Sequence, residues 1–453
     1  MNHKITRASL LFFFNTLLLI STGCDLAQDQ KMELKATAAV VNMVYDDTTI
    51  PIGGWITPRF VKGFDAPLRV QSVVISNDKT KICLVTCDVI YLHRDFLDDV
   101  SDEIETLYGI PFENIMFSAS HSHAAPYQKD WSDTTADQTF NQILRNAIIE
   151  AVGQANKKLQ SSGEMDYYFG QSYAKVGQNS RVILEDGSAL WVPCECRFGY
   201  NRPTGPFDAE LPVLAFKDKQ GKQEIILFNH STHNIGSNGN GHSPCFYGLA
   251  SQEIERELGV IVAFLPGAFG STHVFNCISV EERISRIKDG INRALAKAEK
   301  RKIDRLVSVK KEFEFTIRTF DEEQQQKAVS DYCNRWFGDG AAQVIQTFKD
   351  RRDALEPQQG EKQKTWLQVM LIGDIAFVGV PCELFAELGM EIKRRSPFRY
   401  TYVVGIANDY IGYMPDKEAF DLGGYQTWAT SAPWERDTGE RIVEESIKIL
   451  NAL

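Results

Sequence analysis

The chain has 453 residues, 43% of them hydrophobic, enough to bury a large core. Its 49 Lys and Arg against 60 Asp and Glu give a net charge of -11, and no basic stripe is interleaved with aromatics. That balance excludes nucleic acid as a partner and any general attraction to anionic membrane surfaces.

The N-terminus reads as an export signal. His3, Lys4 and Arg7 supply a basic start, Leu10 to Ile20 an apolar core, and Ser21-Thr22-Gly23-Cys24 a small-residue cleavage site. The apolar stretch is shorter than the roughly 20 residues that cross a bilayer. Ending on a cysteine, the segment resembles a bacterial lipobox, with Ser21 where leucine is usual. The expectation is a lipoprotein-type signal over residues 1-23, lipidation at Cys24, a tether over 24-39 and a single catalytic-sized domain over 40-453. The protein would then sit in the periplasm or at the outer membrane or cell surface, held to the membrane by the lipid, with plain secretion as the alternative.

Strands are predicted at Val70 to Ile75, Ile82 to Val89, Asn114 to Phe117, Leu211 to Phe216, Ile225 to Phe228, Val260 to Phe264, Val307 to Thr316 and Ile375 to Val380. Helices are predicted at Phe96 to Tyr108, Gln138 to Leu159, Val280 to Glu299, Glu322 to Arg335, Glu383 to Arg394 and Gly439 to Leu450. The alternation predicts α/β architecture, with layered mixed β-sheets and flanking helices. No linker rich in Pro, Gly or Ser and no internal repeat divides it.

His121 and His123 close the run that begins at Asn114. Extended residues i and i+2 face the same way, so both imidazoles can enter one pocket, and neutral imidazole is a favoured zinc ligand. His230, Glu383 and Tyr413 each lie just past an apolar, β-rich run. Strand ends are where open sheets gather ligand groups, and two histidines, a carboxylate and a phenolate make a zinc shell. Taken singly, each has a plainer reading: a hydrogen-bonded core histidine, a glutamate favoured at a helix start, a packing tyrosine.

A series of segments then carries a resemblance. Asp47-Thr48-Thr49-Ile50-Pro51-Ile52-Gly53, Leu84 to Val89, Ser120-His121-Ser122-His123-Ala124-Ala125-Pro126 and Thr204 to Leu214 stand in order. The strand ending at His230, Val380-Pro381-Cys382-Glu383-Leu384-Phe385 and Asn408 to Tyr413, with Tyr425 beyond, complete it. Together they resemble the N-terminal catalytic domain of the neutral/alkaline, non-lysosomal ceramidases, a zinc-dependent amidohydrolase family. The resemblance implies Zn2+ held by His121, His230, Glu383 and Tyr413. His123 and Tyr425 would face the scissile carbonyl, His123 handling protons and Tyr425 donating to the oxyanion. Arg181, in Asn179-Ser180-Arg181, would assist from one position beyond the family's arginine. Gly270-Ser271-Thr272-His273 departs from the family's Gly-Asp-x-x-Pro and implies a different pocket wall. His233, His242 and His273 are pocket candidates without assigned roles.

Of the nine cysteines, Cys83 and Cys87 are expected to pack as small hydrophobes within one strand. Cys194-Glu195-Cys196 lacks a second pair at zinc-finger spacing, and a disulfide is possible after export. The sequence therefore predicts an exported zinc-dependent amidohydrolase acting on an N-acyl bond. The alternatives are the same zinc chemistry on a glycan-derived or ester substrate, and a noncatalytic binding lipoprotein on the same fold.

Overall fold

A computed structural model describes residues 33–453 except 55, 57, 58, 78, 130–137, 186, 188, 192–201 and 304. The export signal, Cys24 and the Cys194-Glu195-Cys196 segment lie outside the described residues. Residues from Glu33 to Leu453 form one compact unit, and the Lys35–Asn42 strand pairs along its whole length with Arg69–Ser76. Residues 35 to 39, expected in the tether, are thus part of the folded unit. Among the described residues no helix is long and apolar enough to cross a membrane.

Three main sheets face one another across a shared core. The first runs Lys35–Asn42, Arg69–Ser76, Lys81–Cys87 and Ile115–Ala119, the last pair parallel. The second runs Ile261–Pro266, Gln223–His230, Glu210–Asp218, Met165–Tyr173 and Glu299–Arg301, and the third runs Leu306–Thr316, Lys362–Ile372, Ile375–Gly379 and Tyr400–Val404. Alternation along each strand assigns its side chains. Val73, Ile75 and Leu84 from the first sheet, Ile225 and Leu227 from the second, and Met370, Phe377 and Tyr402 from the third form the central core. Their neighbours point outward against helices. Val70, Val74, Cys83 and Val85 meet Arg94–Tyr108 and Thr139–Ser161; Ile226 and Phe228 meet Cys245–Leu258 and Val280–Ala296; Val369, Ala376 and Val403 meet Ala386–Arg395 and Thr438–Asn451. Strands buried on both faces read as continuous apolar runs, which is why the sequence marks them so plainly.

Two predicted boundaries move. The helix expected to start at Glu383 starts at Ala386, because Glu383–Leu384 instead forms a short parallel pairing with Tyr413–Met414. The helix expected to reach Glu299 ends at Ala296, and Glu299–Arg301 forms a short edge strand paired with Met165–Tyr173. A helical hairpin, Glu322–Trp336 and Ala341–Leu355, packs Val329, Cys333 and Phe348 around Trp428 at one side of the fold. Cys83, Cys87, Cys245, Cys333 and Cys382 are free, buried thiols, and Cys277 is disulfide-bonded.

Candidate metal centre

The parallel pairs Lys81–Cys87 with Ile115–Ala119, Gln223–His230 with Ile261–Pro266, and Ile375–Gly379 with Tyr400–Val404 send their carboxyl ends to one cleft. The loops leaving those ends are stitched together. Ser118 Oγ donates to Gly405 O at 3.0 Å, and the Asn408 side chain accepts from Phe117 N at 3.1 Å while donating to Gln368 Oε1 at 2.8 Å. His121, Ile406 and Asn408 all adopt positive φ, of 55°, 49° and 61°. For a histidine and especially a β-branched isoleucine this is strained backbone, of the kind held in place at functional sites by surrounding contacts.

His121, His123 and His233 each offer a ring nitrogen, all within 4.8 Å of one another. Each ring is tethered by the backbone on its other side. His121 Nδ1 meets Ile90 O at 2.9 Å, and His233 Nδ1 meets Thr272 O at 2.7 Å and Phe269 O at 3.1 Å. The Nδ1 side of His123 lies against Gly54, whose backbone hydrogen-bonds the ring; a Cβ on Gly54, at φ 76°, would come within 2.5 Å of that nitrogen. Carbonyls only accept, so in His121 and His233 the proton is on Nδ1 and Nε2 carries a lone pair. His123 Nε2 and His121 Nε2 face each other at 3.2 Å.

Glu383 closes the cluster. Its Oε2 lies 3.1 Å from His233 Nε2 and 3.6 Å from His121 Nε2, yet it is buried with no hydrogen bond. A proton on His233 Nε2 would supply that bond, but a neutral imidazole has one N–H and His233 spends it on Thr272 and Phe269. Glu383 Oε1 is held separately, accepting from Tyr410 Oη at 2.9 Å, and the Tyr410 ring stacks on Tyr91 at 4.5 Å and 4°. Tyr413 sits beside Glu383 in the short parallel pairing and brings its hydroxyl to 3.4 Å from His233 Nε2. Lone pairs of two buried imidazoles and a carboxylate thus converge beside the Tyr413 hydroxyl, whose one proton serves only one of them, an arrangement that a divalent cation relieves and that backbone-tethered Nδ1 groups typify.

The protonation states agree with this donor set. Burial pushes the His121 pKa down to about 4, with Glu383 opposing, and pushes His123 well below its ordinary value, leaving both rings neutral. Burial alone would raise Glu383, but His121 and the His233 contact outweigh it and the carboxyl is lowered. Tyr425 is pushed up to about 12 by burial and the nearby Glu383, so its hydroxyl remains a proton donor at neutral pH. Tyr425 lines the same cleft as His121, His123, Glu383, Tyr410 and Tyr413, a cavity of about 540 Å³.

Two predicted site residues lie elsewhere. His230 is still inside its strand, at the parity of Ile226 and Phe228, so its ring turns outward beneath the Cys245–Leu258 helix. There its Nδ1 meets Tyr247 Oη and its Nε2 donates to Ala174 O at 2.8 Å, which uses both nitrogens. His233, three residues on and beyond the strand end, takes the place expected for His230. The useful signal was the polar loop Ser231-Thr232-His233-Asn234, which marks the strand end as Ser120 does before His121. Arg181 is buried away from the cleft, bonding Ala419 O at 3.1 Å and Gly423 O at 2.6 Å and packing over Phe385. The chain turns at Asn179, whose side chain accepts from Arg181 N at 2.9 Å, and this aims the arginine at the segment before Tyr425. Tyr410 carried no predicted role, although it stands in the segment that supplied Tyr413.

Of the undecided histidines, His273 stacks near His233 at 6.0 Å, and His242 hydrogen-bonds Tyr45 Oη at 2.9 Å outside the cluster.

No protein-family model matches this chain, and no curated protein matches its sequence. Among solved structures it is similar to the neutral ceramidase from Pseudomonas aeruginosa, with a TM-score of 0.66 and 14% identity over 93% of this chain and 75% of that one. It is similar also to a ceramidase complexed with C2, with a TM-score of 0.68 and 14% identity over 93% and 76% of the two chains. The fold is that of the neutral ceramidases.

Proposed function

We propose that the chain is an exported zinc-dependent hydrolase that cleaves an amide, an N-acyl bond, with water. The observation that carries this reading is the buried, unbonded Glu383 Oε2 facing the lone pairs of His121 and His233. In this reading His121, His233, Glu383 and Tyr413 hold the metal. When bound, zinc lowers the pKa of a coordinated water toward about 7 and polarises a carbonyl. His123, half-buried and lining the cleft, would accept a proton from the attacking water and return it to the leaving nitrogen. Tyr425 donates to the oxyanion of the tetrahedral intermediate. Tyr410 and Tyr91 fix the orientation of the carboxylate, and Arg181 braces the segment that carries Tyr425.

The signal-like N-terminal sequence, its lipobox-like end at Cys24 and a disulfide at Cys277 support export, since disulfides persist in oxidising compartments. A second reading keeps the site but changes the substrate to a glycan-derived or ester compound. It is favoured by His93, Thr430 and Ser431 on the cleft wall, polar groups of little use to an alkyl chain. A noncatalytic binding lipoprotein would have no need of convergent metal donors beside a proton-transfer histidine.

Treatment with a strong chelator is expected to abolish hydrolysis of a panel of N-acyl amino acids, N-acyl sphingolipids and acylated sugars, and zinc to restore it. Metal-free protein that still turns over the panel at the untreated rate would overturn the reading.

A further inference from the structure

The charges lining the site are unusual for this protein. The chain as a whole carries -11, yet among the described residues lining the metal cleft the only carboxylate is Glu383. The same lining contains Arg351, delivered by the Ala341–Leu355 helix of the hairpin. A second cavity of about 530 Å³ adjoins the first and shares His123 with it; it is lined by Arg59 and Lys62 and by no described carboxylate. Asp65 accepts from Asn238 N at 2.8 Å and Ser243 Oγ at 2.9 Å, and Asp47 accepts from Gly63 N; neither lines the cavity.

Arg351 is placed to read a ligand. One Nη donates to Ile56 O at 2.9 Å, and the guanidinium lies 5.4 Å over the Phe348 ring, so the group is steered toward the cleft. Arg351 lines the same cavity as the Tyr91 and Tyr425 side chains. A guanidinium has five donors in a planar fork suited to two-oxygen anions, and the single bond to Ile56 uses one of them. With Glu383 committed to the metal, the remaining charge of the cleft is positive.

From this we infer that the substrate is an anionic amide or ester, carrying a carboxylate, sulfate or phosphate that docks on Arg351, with Arg59 and Lys62 favouring the same sign in the adjoining cavity. The inference rests on the hydrolase reading of the same cleft, but concerns recognition and not bond cleavage. It assigns Arg351 as a specificity-determining residue from an element that the sequence reading left without a role.

The test compares matched compounds on zinc-loaded, full-length protein: an N-acetyl amino acid, an N-acetylaminoalkyl sulfate and phosphate, and the uncharged methyl ester of the first. Binding by calorimetry and hydrolysis are both measured, for the wild type and for Arg351→Gln and Arg351→Lys. At least one anionic member is expected to bind roughly tenfold or more tightly than the ester, as suits a charge-assisted contact, and which one identifies the anion. Arg351→Gln should remove that preference by raising KM with kcat little changed and ester binding unaltered; Arg351→Lys should restore part of it. Equal binding of charged and uncharged members, or no binding of any, would overturn the inference. Anion-selective binding without hydrolysis of any compound would support it while sinking the hydrolase reading.

Discussion

Glu383→Ala is expected to lose the metal and all measurable hydrolysis together. The carboxylate supplies the negative charge of the proposed donor set and sits within 3.1 Å of His233 Nε2 and 3.6 Å of His121 Nε2. Without it two neutral imidazoles and a phenol remain, a weak set for a divalent ion. Thermal unfolding gives an independent readout. A ligand that binds only the folded state stabilises it by about 4 kcal/mol when its free concentration is about 1,000 times its Kd. Added zinc should therefore raise the Tm of chelator-treated wild type and leave that of Glu383→Ala unmoved. An equal Tm rise in both would show that zinc binds elsewhere.

His123→Ala is expected to separate metal from turnover. His123 shares the cluster, but its Nε2 faces His121 Nε2 at 3.2 Å and it is less buried than His121 and His233, while the Tyr413 hydroxyl lies beside His233 Nε2. The variant should keep its metal and lose roughly 10²- to 10⁴-fold in kcat, the scale of a lost general acid–base group. Metal analysis beside single-turnover rates checks both halves. If His123→Ala loses metal as completely as Glu383→Ala, His123 is the fourth ligand and Tyr413 is not.

How much of this was legible in the sequence depended on what faced what. The apolar runs around Val85, Ile226 and Val378 marked strands because both faces of each sheet are covered, by the central core and by helices. The same double burial hid the sidedness of the strand ending at His230. With no polar alternation along it, nothing showed that His230 points to the helices, and only the residue count past the strand end favours His233. His121, Glu383 and Tyr413 were legible because each lies at or past a strand end, where the geometry now brings them together. The Lys35–Asn42 strand, with four adjacent buried residues from Ala36 to Ala39, has no alternating pattern. The Cys245–Leu258 helix escaped notice for a related reason. Its first eight residues, Cys245 to Gln252, are all buried, polar Ser251 and Gln252 included, so no amphipathic stripe marks them. Arg351 belongs to a polar surface helix, and its placement over the cleft depends on how the hairpin packs around Trp428, which no local pattern encodes.

The central claim is that the metal is held by His233 and not by the neighbouring His230. Elemental analysis of purified His233→Ala and His230→Gln tests it most directly, with circular dichroism to confirm that each is folded. The account predicts about one zinc per chain in wild type and in His230→Gln, and none in His233→Ala. Zinc retained by His233→Ala and lost from folded His230→Gln would contradict it.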